Sequence, residues 1–118
     1  MKSCQRILAL AILLISCGVL PALAHKINVF AYVEDGQVMT ESYFADGRPV
    51  KQSRVKVYDS SDALLLEGKT DDQGLFNFPI PRVDTLTIEV REILGHRNTY
   101  TLGKTDIAAA STPAAESR

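Results

Sequence analysis

With 118 residues, the chain has room for one domain at most. Its 13 basic and 14 acidic residues nearly cancel, and no basic cluster appears along it to track a phosphate backbone, which argues against a nucleic-acid partner. The absence of tryptophan argues against a broad aromatic platform of the kind that holds polysaccharide.

The first 24 residues have the form of an export signal. Lys2 and Arg6 supply a positive start, an apolar core runs from Ile7 through Leu20, and Ala22-Leu23-Ala24 offers small residues at the cleavage positions. That core is short for a spanning helix, which needs about 20 apolar residues. A second exit route competes: Leu14-Ile15-Ser16-Cys17 has the shape of a lipoprotein cleavage box, with Cys17 as the lipidated first residue. The apolar run continues past Cys17 and a strand pattern follows almost at once, so cleavage after Ala24 is the preferred expectation. It removes Cys4 and Cys17, the only cysteines, and leaves acidic residues in the majority. The mature chain, residues 25–118, then begins at His25, is exported to the periplasm, and holds neither a disulfide nor a thiolate metal site.

From residue 27 the periodicity is that of β-strands. Residues 27–33 alternate, and Asp35-Gly36 is the strongest short hairpin signal, returning the chain as 38–44. If Asp35 and Gly36 are the two central turn residues, His25 pairs with Asp46 at the far end of that hairpin. Further strands are expected at 53–59, 63–69, 75–80, 85–92 and 97–102, with Val55 and Val57 on one face of the third. Pro79 and Pro81 mark an edge or an end of the fifth. Seven short strands with turns about every eight to twelve residues predict an all-β, seven-stranded antiparallel β-sandwich over 25–102. Residues 103–118 have little to bury and are expected to be a disordered tail.

Gly47 to Pro81, with its valine-rich strand and the run Thr70-Asp71-Asp72-Gln73-Gly74-Leu75-Phe76, resembles the transthyretin-like or carboxypeptidase-regulatory-like sandwich. Thr70 and Asp71 are expected to hold the turn, Gly74 to take positive φ, and Phe76 and Phe78 to face the core. The start Ala24-His25-Lys26 and the run Gly95-His96-Arg97 before the last strand are similar to exported accessory proteins of energy-coupling-factor nickel and cobalt uptake systems. That resemblance implies a partner, the membrane substrate-binding subunit of such a transporter, and a role at the membrane periphery.

The chemistry of the residues agrees with such a role. A histidine at a free amino terminus offers its α-amine and Nδ1 to one ion as a chelate, and His96 in the last turn can supply another imidazole. Amine and imidazole donors suit Ni(II), with Co(II) or Cu(II) as alternatives. Asp46 is a candidate further ligand, or an acceptor that fixes an imidazole tautomer. Plainer readings stand beside these. His25 can be only the residue that follows a cleavage site, His96 a solvated loop group, and Asp46 turn chemistry; Asp71 and Asp72 belong to the fold. Two histidines and scattered turn acids form no catalytic constellation, so no enzyme activity is expected. The competing function is a non-catalytic module that binds a protein or glycan without a metal.

Overall fold

The computed structural model describes residues 26–111. The expected export signal, His25 and residues 112–118 lie outside the described residues.

Strands β1 (Ile27–Glu34) and β2 (Gln37–Phe44) form the predicted hairpin. Asp35 and Gly36 take φ of 52° and 75°, so both central residues are left-handed, as a two-residue turn that matches strand twist requires. Ile27 faces Phe44 and Glu34 faces Gln37, the register the turn residues imply. Five more strands follow: β3 (Arg54–Tyr58), β4 (Leu64–Lys69), β5 (Leu75–Pro79), β6 (Leu86–Arg91) and β7 (Arg97–Leu102). They assemble into two antiparallel sheets, one ordered β1-β2-β5 and the other β4-β3-β6-β7. This is the seven-stranded all-β sandwich expected from the periodicity. Pro79 closes β5, an edge strand, where its missing N–H costs no central ladder bond.

The chain changes sheet between β4 and β5, and the Thr70–Gly74 turn makes that crossing. Thr70 is buried; its hydroxyl donates to the Val50 carbonyl at 2.6 Å and accepts from the Ser53 N–H at 3.0 Å. Asp71 Oδ1 accepts from the N–H groups of Gln73 and Leu75 at 2.8 and 3.0 Å. Gly74 has φ of 78°, and a Cβ there would collide with the Ser42 carbonyl oxygen, so glycine is required twice over. Val38, Val55, Val57, Leu86, Ile88 and Val90 are fully buried between the sheets, with Phe78 beside them and Phe76 packed against the cluster.

The region expected to be a disordered tail instead begins as a helix, α1 (Lys104–Ser111). Its first turn is closed on Gly103, whose carbonyl accepts from the N–H groups of Asp106 and Ile107. The helix is anchored by one side chain, Ile107, which is fully buried in the sandwich core. A single isoleucine among alanines and polar groups makes no periodic pattern, which is why the sequence signals a tail there.

Candidate functional site

The turn between β6 and β7 carries His96 and is built around Glu92. Backbone bonds close it: Glu92 N–H donates to the His96 carbonyl and Gly95 N–H to the Glu92 carbonyl, both at 2.9 Å. The Glu92 side chain folds inward until only 7% of the residue is exposed. There its Oε2 accepts from the Leu94 N–H at 3.0 Å, and its Oε1 accepts from the His96 N–H at 2.9 Å. The same Oε1 lies 2.7 Å from His96 Nδ1. Burial pushes this carboxyl up, but the N–H groups of Leu94 and His96 and the His96 ring outweigh burial and hold it below its ordinary value of 4.5. Glu92 is therefore ionised near neutral pH and fixes the ring. The contact is made at Nδ1, and the His96 side chain remains 43% exposed.

A carboxylate that orients a histidine in this way is a common support for a metal-bound imidazole. Sequence reasoning assigned the tautomer-fixing role to Asp46 and missed Glu92. A signal was present: a lone acid placed four residues before the histidine, across a turn, has both backbone and ring donors within reach.

The two ends of the expected site are joined by a contact between the sheets. Asn98 Nδ2 donates to the Ile27 carbonyl at 2.9 Å, and the Tyr100 ring meets the Phe30 ring edge-on with centroids 5.5 Å apart. Successive contacts from Ile27 to Asn98 and from Phe30 to Tyr100 mean that β1 and β7 lie side by side and run the same way. The starts of both strands are thus at one end of the sandwich. His96 sits two residues before Asn98, and Lys26 is the last described residue before Ile27.

Asp46 lies near this end as well, because the Ala45 N–H donates to the Lys26 carbonyl at 3.1 Å and extends the hairpin past Ile27. Its carboxylate is already engaged. Oδ1 accepts from the Arg48 N–H at 3.1 Å and Oδ2 from Arg48 Nε at 2.7 Å, and these bonds lower its pKa. The Arg48 guanidinium in turn lies over the Phe44 ring, 5.0 Å from its centre. Among the described residues, no group of three or more histidines, cysteines or acids is gathered as a metal cluster. His96 is brought together with Glu92, and Asp46 with Arg48.

A relative from Haemophilus influenzae, described as an uncharacterized protein, is 39% identical over 93 residues. The match covers 75% of this chain and 56% of the relative, so the chain spans little more than half of that protein's length. No family model matches the chain. No solved structure matches it either.

Proposed function

We propose that this is an exported, non-catalytic metal-binding protein that assists nickel or cobalt uptake by a membrane transporter. The ion is held by the amine and imidazole of His25, at an amino terminus freed by cleavage after Ala24, and by Nε2 of His96. The partner is the transporter's membrane substrate-binding subunit, met at the periplasmic surface. Asp46 contributes by pinning Arg48 and the turn rather than by ligating.

The observation that carries this reading is the Asn98 to Ile27 hydrogen bond, which ties the start of β7 to the start of β1. An extended residue covers about 3.3 Å, so residue 25 has a reach of about 7 Å from Ile27 toward the His96 turn. The Glu92 carboxylate adds a second support, since it holds the His96 ring from Nδ1, as the carboxylate supports of metal-bound imidazoles do. Bound Ni(II) would serve as cargo, and the chain's own part is to orient donors and release protons as the ion binds.

Isothermal titration of Ni(II) into protein that begins at His25, against protein with one extra alanine before it, tests this directly. The added residue converts the amine into a peptide nitrogen, so binding should be largely lost; equal affinities would remove the amino-terminal site. Glu92→Gln should weaken binding by about 10- to 100-fold, the usual effect of losing such a support. Affinity should also fall steadily as pH drops through about 8 to 6, where terminal amines and imidazoles take up protons.

A further inference from the structure

The same end of the sandwich carries a feature that the metal reading does not use. Each strand of the four-stranded sheet contributes one cation to a single row across its outer face. Lys69 on β4 pairs with Arg54 on β3, Arg54 with Arg91 on β6, and Arg91 with Arg97 on β7. All four residues are exposed. None belongs to the ion pairs found among the described residues, which use Arg48, Lys56, Arg82 and His96. At an inter-strand spacing of about 4.8 Å the row is about 14 Å long. The next outward row mixes signs, Lys56 lying between Glu67 and Glu89, so the uncompensated charge is confined to one end.

Beside this row the β6–β7 turn projects two aliphatic side chains: Ile93 is 96% exposed and Leu94 71%. A shallow hollow of about 350 Å³, whose charged lining is Arg54, Lys69, Arg91 and Glu92, opens on one side of Ile93. A second, whose charged lining is Arg48, Lys51 and again Glu92, also borders Ile93. Cations outnumber the one carboxylate, Glu92, in each hollow, and an apolar tip between them matches the layering of a bilayer surface, with acyl chains inside and phosphates outside.

We propose that this end of the sandwich docks on an anionic lipid surface, with Ile93 and Leu94 entering the headgroup boundary while the Lys69–Arg54–Arg91–Arg97 row and its neighbours meet lipid phosphates. Lipid is favoured over an acidic polypeptide by the shape of the apolar part. Protein partners are held by anchors set within well-packed, complementary interface centres. A protruding pair of aliphatic side chains needs no matching pocket in order to enter a fluid interface. Docking here does not depend on a metal ion, although it would bring the His96 turn close to the membrane.

Residues 25–118 contain every described strand and helix and omit the apolar run 7–20, which would itself partition into lipid; they are the species to test. Cosedimentation with phosphatidylcholine vesicles, with and without phosphatidylglycerol, should show binding only to the anionic ones and loss of that binding in high salt. Each cation near an anionic surface contributes about fivefold in partitioning, so Arg54→Gln with Arg91→Gln should weaken binding roughly 30-fold. Ile93→Ser with Leu94→Ser should weaken it by more than about tenfold, since two aliphatic side chains lose their apolar contact. All four positions are exposed, and an unchanged thermal melt would verify that the variants fold. No binding to anionic vesicles overturns the proposal, as does binding that both double variants leave intact. Capture of polyglutamate without capture of vesicles overturns it too, and assigns the surface to an acidic protein.

Discussion

The four-stranded sheet turns Val55, Val57, Leu86, Ile88 and Val90 inward, all without solvent exposure, whereas the central strand of the three-stranded sheet turns Thr40 and Ser42 inward with Val38. Neither of those hydroxyls finds a hydrogen-bond partner among the described residues. One sheet therefore supplies most of the fully buried apolar surface, and the other gives up part of its inner face to polar groups whose desolvation is not offset. The outer faces differ as well, because the well-packed sheet is the one that bears four like charges side by side. Like charges directly opposite one another weaken a sheet. A tightly packed inner face is what lets the row persist.

Three measurements would sharpen or break this contrast. The largest effect is expected at Ile88: Ile88→Ala removes most of a fully buried side chain from a central strand and should cost about 2–5 kcal/mol in denaturant unfolding. A loss under about 1 kcal/mol would mean that the four-stranded sheet does not dominate the core. Next comes Thr40→Val, which keeps the shape and exchanges an unpartnered hydroxyl for a methyl. It should raise stability by about 1 kcal/mol, and a loss of stability would show that the hydroxyl is satisfied after all. Smallest is Arg54→Glu, which places an acid between Lys69 and Arg91 and should raise stability by up to about 1 kcal/mol in low salt, less in high salt. Stability gained there together with vesicle binding lost would indicate that the row is kept for its partner and not for the fold.

The strands were legible in the sequence to within a residue or two at each end, since alternation and turn chemistry act over a few neighbours. Asp35-Gly36 set the first hairpin and its register by local backbone preference. The Thr70–Gly74 turn was equally readable, because Asp71 bonds its own neighbours and Gly74 needs a left-handed backbone. Less could be read of the site. His96 was singled out, yet its actual partner is Glu92, and Asp46 turned out to hold Arg48. Helix α1 was missed because tertiary burial of Ile107, and not local preference, gives it a place.

What the sequence determined alone was the backbone pattern that neighbouring residues set: strand period, turn type, hairpin register and hence the all-β class. Only the tertiary structure decided which distant strands become neighbours. It put Asn98 against Ile27 and aligned Lys69, Arg54, Arg91 and Arg97, which are scattered over more than forty positions and look unremarkable in a nearly neutral chain. The reason is physical: pairing across a sheet is set by burial of the inner faces, and the outer residues are carried into register with no preference of their own.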